Sequence, residues 1–223
     1  MPKITLQNST NTFKSKRLNF REIRFTDAEN IVRWRSNPET YIYFRNPKPI
    51  SLEEHINWYE NNYLSNPSRV DYIIIEKVTD TPVGIVGVSI VESSGEISYI
   101  IGETDFLQRG FGSEAVNAIV AYFTGRISVF TAKIHQLNIA SIKVAEKCGF
   151  VFEKELEPSF LLYKKSTHNH GGDKMGMSNE QFDSYKTQLI RNLQRAQKEV
   201  AEEGKSETLD QIINDLESEL KNP

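Results

Sequence analysis

Two closely spaced glycines, Gly110 and Gly112, predict a turn that binds phosphate groups. They lie in the segment Gln108-Arg109-Gly110-Phe111-Gly112-Ser113, which follows a predicted strand and opens a predicted helix. Because glycine has no Cβ atom, the backbone there can approach a ligand closely and expose its N–H groups. The N-terminus of the helix adds partial positive charge, so the turn could hold a pyrophosphate. Taken alone, the segment is equally compatible with a strand-to-helix connection that binds nothing.

A second segment supplies polar side chains at the start of a later helix. This predicted helix opens with Asn138-Ile139-Ala140-Ser141 and ends with Ala145-Glu146-Lys147-Cys148-Gly149-Phe150. Gly149 is typical of the residue that ends a helix. The segment therefore offers an amide at Asn138 and a hydroxyl at Ser141, although Ser141 could equally serve as a capping group at the helix start.

Together these segments resemble the GNAT N-acetyltransferases, in particular the branch with the Rim-type ribosomal-protein and spermidine acetyltransferases. That family combines a glycine turn with a later Asn-x-x-Ser helix ending in Glu-Lys-x-Gly-Phe. The strand Glu96-Ile97-Ser98-Tyr99 is similar to the Glu-Ile-Gly-Tyr of this branch. The resemblance extends from about Leu18 to Lys165. It implies an α+β fold with α/β/α layers and a mostly antiparallel central sheet. It also implies acetyl-CoA as cosubstrate and direct transfer of the acetyl group to a primary amine.

The resemblance assigns roles to individual residues. The cofactor-binding residues would be Ile101, Gln108, Arg109, Gly110, Phe111, Gly112, Ser113, Asn138 and Ser141. Asn138 would hydrogen-bond the pantetheine arm, and Ser141 would protonate the departing thiolate. A backbone N–H near Ile101 would stabilise the tetrahedral intermediate as an oxyanion hole.

Two carboxylates are candidates for the base that removes a proton from the amine. Glu96, on the strand before the glycine turn, is the first candidate, and Glu103, just after that strand, is the second. For either residue the alternative is a solvated carboxylate at a strand end. Tyr99, on the same strand, is either a wall of the cleft or part of the core.

Two positions depart from the family pattern. Leu107 stands where the glycine motif usually begins with Gln or Arg, which predicts weakened acetyl-CoA binding. Ala145 stands where many GNAT enzymes place a tyrosine acid, so the thiolate must receive its proton from another group. These departures keep a second hypothesis open, namely a catalytically weak GNAT-fold module that binds acyl-CoA or recruits a partner.

The amine acceptor stays open among a protein N-terminus, a polyamine or other small amine, and an amino sugar. The stretches from Arg33 to Glu39 and from Ser51 to Trp58 lie where GNAT proteins build the acceptor side of the cleft. They look similar to bacterial amino-sugar acetyltransferases. The alternative is two amphipathic helices with Trp34 and Trp58 in the core.

Alternating strand and helix patterns predict the elements that position these residues. The predicted strands are Leu18 to Ile23, Val70 to Lys77, Val83 to Val91, Glu96 to Gly102, Ile127 to Ile134, Val151 to Leu156 and Phe160 to Tyr163. Short connections make the second, third and fourth of these an antiparallel meander. Helices are predicted from Gly110 to Gly125 and from Ile139 to Cys148. Capping boxes at Thr26/Glu29 and Ser51/Glu54 predict two earlier helix starts.

Composition restricts the class of protein and its partners. With 223 residues, 38% hydrophobic and 26% charged, the chain has the profile of a soluble globular protein. A net charge of −3 argues against nucleic acid as the main partner, and no apolar run is long enough to cross a membrane. The polar, basic start and the single cysteine, Cys148, favour a cytoplasmic location. His168 and His170 lack further ligands nearby, so we expect no metal site.

The chain divides into three parts. Residues 1–165 form the predicted acetyltransferase domain, and the polar, glycine-containing stretch 166–177 is typical of a linker. Residues 178–223 predict an acidic helical hairpin with ten acidic and six basic residues. Two short helices bury little surface alone, so we expect this hairpin to pack on the main domain or on a second copy in a homodimer. A fused separate module is the further alternative.

Overall fold

Residues 12–167 are described in a computed structural model of the protein, where they form an eight-stranded sheet covered by helices. The strands are β1 (Thr12–Lys14), β2 (Leu18–Glu22), β3 (Arg69–Glu76), β4 (Thr81–Val91), β5 (Ser94–Ile101), β6 (Val129–His135), β7 (Val151–Leu156) and β8 (Phe160–Ser166). The helices are α1 (Ala28–Arg35), α2 (Pro38–Tyr41), α3 (Leu52–Trp58), α4 (Phe111–Phe123) and α5 (Ile139–Lys147). The spatial order of the strands is β1-β2-β3-β4-β5-β6-β8-β7.

Neighbouring strands run antiparallel except for β5 and β6, which run parallel. The mostly antiparallel α+β fold is therefore confirmed, and so is the meander formed by β3, β4 and β5. A parallel neighbour needs a long crossover, and the chain makes this crossover through α4. The glycine turn lies at the start of that crossover helix.

The parallel pairing of β5 with β6 is short. Only residues 94–96 of β5 pair with residues 129–131 of β6. Beyond this point β5 continues to Ile101 against β4, and β6 continues to His135 against β8. The two strands therefore separate after Glu96, and the sheet opens near its centre.

One face of the sheet carries the core beneath α1 and α3. Trp34 of α1 is 1% exposed, and Trp58 of α3 is partly buried against the same cluster. The other buried members of this cluster are Ile23, Ile31, Tyr63 and Ile73. The interpretation of these segments as amphipathic helices with both tryptophans in the core is therefore confirmed.

The opposite face carries the core beneath α4. Side chains alternate between the two faces of a strand, so Tyr72 lies on the other side from Ile73. Tyr72 packs against Phe13 and Tyr122, with ring centroids 4.9 and 6.1 Å away. Helix α4 buries its apolar stripe here, as its sequence predicts. The buried residues of α4 include Ala115, Val116, Ile119, Val120 and Phe123.

Of the two predicted capping boxes, only the second forms. Ser51 and Glu54 exchange hydrogen bonds at 2.7 and 3.0 Å, as expected. The prediction for Thr26 and Glu29 is wrong because the neighbouring Asp27 takes over the helix start. Its carboxylate accepts the backbone N–H of Arg24 at 2.7 Å, and α1 begins at Ala28.

The sequence did not predict the strand β1 or the helix α2. Strand β1 has three residues and helix α2 has four, which is too short for a clear hydrophobic pattern. The hairpin predicted at 178–223 lies outside the described residues, as does the linker beyond Thr167.

None of the helices formed by residues 12–167 combines the length and the apolar character required to span a bilayer.

The two tryptophans allow a matched test of this core. Trp34→Phe removes the 2.8 Å hydrogen bond from Nε1 to Glu103 and leaves a gap at a buried position. We expect it to lower the free energy of unfolding by about 2 kcal/mol in urea denaturation. Trp58→Phe, at a partly buried position of the same cluster, should lower the free energy of unfolding by less than half of that amount. Equal losses in the two variants would contradict the central position of Trp34.

Candidate active site

A cleft opens where β5 and β6 separate. It encloses about 250 Å³ and is lined by both strands, by α5 and by residues 43–45 of the loop after α2. Of the residues predicted from the sequence, this cleft brings together Glu96, Asn138 and Ser141, with Tyr99 as part of its wall. Ile101 ends β5 and Glu103 follows it, and neither lines the cleft. The role of Ile101 in an oxyanion hole stays a prediction.

The glycine turn has the backbone conformation of an anion-binding helix start. Gln108 and Gly110 have φ angles of 55° and 77°, both in the left-handed region. Gly110 is the N-cap of α4, and no side chain caps the helix there. The first N–H groups of an α-helix have no acceptor within the helix, so those of residues 111–113 can donate to phosphate oxygens. Glycine adopts this conformation without strain, which explains its presence at position 110.

An arginine from the far end of the sheet fixes this turn. Arg17, between β1 and β2, pairs with Glu114 through Nε at 2.7 Å and donates to the carbonyl of Arg109 at 2.9 Å. Its guanidinium also lies 4.2 Å from the ring centroid of Phe111. Ser15 donates a further hydrogen bond to Glu114 at 2.7 Å. No local sequence pattern indicates this support, because Arg17 and Glu114 are 97 residues apart.

Two hydroxyl groups meet at the start of α5. The Tyr99 hydroxyl lies 3.2 Å from Oγ of Ser141. Asn138 caps α5, because its Oδ1 accepts the backbone N–H of Ser141 at 3.0 Å. Ser141 is therefore not the capping residue, and its hydroxyl faces the cleft beside Tyr99. Burial raises the pKa of Tyr99 to about 12, so this phenol keeps its proton at neutral pH.

A close approach of α4 holds Tyr99 in place. A Cβ atom added at Gly112 would lie 3.0 Å from Cε2 of Tyr99, which is tighter than an ordinary contact. Ala145, at the position of the tyrosine acid in many relatives, is buried and carries no proton to donate. The hydroxyl pair of Tyr99 and Ser141 thus lies close to the position where the family acid is missing.

The two carboxylate candidates have different surroundings. Glu96 lines the cleft, and its Oε2 pairs with Nζ of Lys133 at 2.6 Å. Glu103 accepts hydrogen bonds from Arg33 at 2.5 and 3.2 Å and from Nε1 of Trp34 at 2.8 Å. The hydrogen bonds from Arg33 hold the pKa of Glu103 below its usual range, despite partial burial. A carboxylate held by several donors is a weak base, so the geometry favours Glu96 over Glu103.

The family model described as the Acetyltransferase (GNAT) domain matches residues 17–151 of this chain. The chain belongs to the GNAT acetyltransferase family. It is therefore an acetyl-CoA-dependent acyltransferase, which confirms the cosubstrate and the reaction class expected from the sequence.

Three similar proteins show how far the resemblance to known GNAT proteins extends. An uncharacterised protein of Methanocaldococcus jannaschii is 31% identical over 166 residues, which span 70% of this chain but only 34% of that relative. The crystal structure of a domain from the same organism shares 30% identity, with a TM-score of 0.61, and covers 67% of this chain and 97% of its own. RimL, a ribosomal L7/L12 α-N-protein acetyltransferase solved with coenzyme A, has 19% identity and a TM-score of 0.57 over 68% of this chain and 95% of its own. At that identity RimL shares the fold, and the similarity does not single out the Rim-type branch.

The cleft of this GNAT domain also contains residues that the sequence did not reveal as site residues. Tyr43 lies 6.0 Å from His135 between ring centroids, and His135 lies 5.3 Å from Phe160. Nδ1 of His135 accepts the N–H of Leu137 at 3.2 Å, so the neutral ring carries its proton on Nε2. Burial lowers the pKa of His135, which favours this neutral form. The sequence indicated only a strand-end histidine.

Cys148 belongs to the core of the GNAT domain rather than to its chemistry. It is 3% exposed, and its Sγ lies 3.4 Å from the carbonyl of Ser113. Burial raises the pKa of this thiol, so it stays protonated, and its prediction as a small core residue is confirmed. Within residues 12–167 no group of three or more potential metal ligands comes together.

Two glycines at opposite ends of α4 offer a matched test of the cofactor turn. Gly110 and Gly125 have φ angles of 77° and 93°, and an added Cβ would meet little at either position. Gly110→Ala and Gly125→Ala should therefore both lose about 1 kcal/mol of stability from backbone strain. Only Gly110→Ala should weaken acetyl-CoA binding, because its methyl group would lie at the helix start that is predicted to bind phosphate. The measurement is the rise in unfolding temperature with acetyl-CoA, and an equal rise in both variants would place the cofactor elsewhere.

Proposed function

We propose that this GNAT domain transfers the acetyl group of acetyl-CoA directly to a primary amine, with Glu96 as the base and Ser141 as the proton donor. The observation that carries this proposal is the arrangement of the cleft between β5 and β6. Glu96 lines it where the strands separate, and Ser141 lines it from α5. A carboxylate and a paired hydroxyl therefore converge on one space of about 250 Å³.

The cofactor turn fits the pyrophosphate of acetyl-CoA. The N–H groups of residues 111–113, together with Gln108 and Arg109, would hold its phosphates at the positive end of α4. Asn138 would hydrogen-bond the pantetheine arm, and a backbone N–H near Ile101 would act on the thioester oxygen. When bound, acetyl-CoA supplies the activated acetyl group.

Proton transfer requires a base on the acceptor side. An amine is mostly protonated at neutral pH and must lose its proton before it attacks the thioester. Lys133 contacts Oε2 of Glu96, whereas Oε1 has no hydrogen-bond partner within residues 12–167. Oε1 is thus available to accept the proton of the amine, directly or through water, and Lys133 holds the carboxylate in position.

The second proton transfer takes place at the start of α5. The departing thiolate takes a proton from the hydroxyl of Ser141, and Tyr99 can return one to Ser141 across their 3.2 Å contact. This pair supplies the acid that Ala145 cannot. Tyr99 is suited to the role because its pKa of about 12 leaves it protonated before the step.

The acceptor classes that we propose are a protein N-terminus, as in the Rim-type branch, a polyamine or other small amine, and an amino sugar. The reduced, buried Cys148 supports our proposal of a cytoplasmic location. A homodimer through residues 178–223 stays a proposal as well. A catalytically weak acyl-CoA-binding module is the second candidate, favoured by Ala145 and by Leu107, whose side chain is 44% exposed beside the cofactor turn.

The two carboxylates can be separated by isosteric substitution. Glu96→Gln should lower kcat by roughly 100-fold or more, because the amine loses its base. Glu103→Gln should change kcat little but lower the free energy of unfolding at neutral pH, because a neutral amide binds Arg33 less strongly. Since the folded-state pKa of Glu103 is depressed, this stability difference should vanish as the pH falls through that pKa. If Glu103→Gln lowers kcat more than Glu96→Gln does, Glu103 rather than Glu96 is the base.

The hydroxyl pair predicts a graded loss of activity. Ser141→Ala should lower kcat by roughly tenfold to 100-fold, and Tyr99→Phe should lower it less, because Ser141 keeps its own proton. Ser128→Ala is the control, since that hydroxyl bonds to the carbonyl of Ser93 at 3.2 Å, outside the cleft. In the unmodified protein kcat should not fall near pH 10, roughly the ordinary pKa of tyrosine. Such a fall, absent in Tyr99→Phe, would contradict the raised pKa of Tyr99.

A further inference from the structure

Two arginines lie beside the acceptor side of the cleft without a carboxylate partner. The guanidinium of Arg45 lies 5.4 Å from the ring centroid of Phe160, and that of Arg35 lies 5.5 Å from Phe44. Both rings line the cleft, and Arg45 lines it as well. Across residues 12–167 neither arginine makes an ion pair or a side-chain hydrogen bond. An arginine stays charged at any ordinary pH, so these two positive charges lack a counter-charge of their own.

The carboxylate that interacts electrostatically with Arg35 is that of Asp71, and it is already paired with another arginine. Asp71 is buried and pairs with Arg69 at 2.7 and 3.0 Å. Burial lowers the pKa of Arg35, and the neighbouring charge of Arg69 lowers it further. His55 adds little positive charge of its own, because burial and the charge of Arg35 lower its pKa and favour the neutral ring.

The charges around the acceptor side therefore do not balance. The positive side chains are Arg35, Arg45, Arg69 and Lys133, and the negative ones are Asp71, Glu96 and Glu39. Asp71 and Glu96 are each engaged by one of the cations. Glu39 is exposed on α2, near the hydroxyl of Tyr43. This excess of positive charge opposes the entry of an acceptor with several positive charges, since like charges in a partly enclosed cleft repel.

We infer that the acceptor is a small amine that also carries an anionic group, either a phosphate or a carboxylate, which pairs with Arg45 and lies near Arg35. This inference rests on the proposed acetyl transfer and names its substrate class. The planar guanidinium matches the oxygens of both anions and can bind them through two hydrogen bonds. The Nε2–H of His135 offers a further donor in the cleft. The amine end reaches Glu96 while the anionic end stays at the mouth.

Matched pairs of amines test the inference on the full chain. Acetyl-CoA consumption is measured with glucosamine and glucosamine 6-phosphate, with ethanolamine and phosphoethanolamine, and with β-alaninamide and β-alanine. Spermidine serves as a polycationic acceptor. We expect the anionic member of at least one pair to have a kcat/KM roughly tenfold or more above its neutral counterpart, an advantage that decreases at high salt. Comparison of the two phosphate-containing pairs with the carboxylate-containing pair shows which anion the site prefers.

Two arginine variants locate the effect. Arg45→Gln should raise KM for the preferred anionic amine by roughly tenfold and change kcat/KM of its neutral counterpart much less. Because Arg45 is exposed, this variant should fold normally. Arg126→Gln, at an exposed arginine outside the cleft lining, should keep the preference intact.

The outcomes separate this inference from the proposed function. Turnover that favours neutral amines or spermidine shows an active acetyltransferase and overturns the inference. An anionic preference that survives in Arg45→Gln also overturns it. If none of the anionic amines is acetylated, the inference is wrong even where acetyl-CoA still raises the unfolding temperature. If the protein acetylates none of the amines and acetyl-CoA does not raise its unfolding temperature, the proposed function is contradicted as well.

Discussion

The separation of β5 from β6 is the constraint on which the rest of the site depends. The two strands share only the pairing of residues 94–96 with residues 129–131, and each then follows a different neighbour. Side chains alternate along β5, so Glu96 and Tyr99 project to opposite faces of the sheet. Tyr99 meets Gly112 and Ser141 on the side of α4 and α5. The proposed base and the proposed proton donor can therefore act on the same group only if that group lies within the opening, between the two faces.

Two glutamates near one strand show how neighbours decide the role of a side chain. Glu103 is bound by Arg33 and by Trp34, so it connects the end of β5 to α1 and stabilises the core beneath it. Among residues 12–167, Glu96 forms a single ion pair, with Lys133, and it faces the cleft. Residue type alone does not distinguish the two. The difference arises from the elements that pack beside each carboxylate, and it is the reason that we propose Glu96 as the base.

The sequence predicted the parts of the fold and site that depend on local patterns. Gly110 and Asn138 could be placed at helix starts because each acts within its own turn, and the meander followed from short connections between apolar runs. The contact of Tyr99 with Ser141 joins residues 42 positions apart, and Glu103 reaches Arg33 across 70. No local pattern encodes such contacts, since they arise when helices pack on the sheet. The same reason explains Thr26, where Asp27 pairs with Arg21 of β2 and moves the helix start. Residues 43–45 line the cleft from the loop after α2, and they could not be predicted because no local sequence pattern specifies the path of that loop.

The ion pair of Arg17 with Glu114 links the cofactor turn to the opposite end of the domain. Arg17 lies between β1 and β2 at the sheet edge, whereas the turn that it fixes opens α4, 97 residues further along the chain. A fragment that begins after β2 would contain every residue that lines the cleft and would still lack this anchor. Synthesis from the N-terminus places the anchor first and the turn much later. With acetyl-CoA bound at this turn as we propose, its affinity would depend on the integrity of the whole domain, including β1 and β2, which contribute no residue to the lining of the cleft.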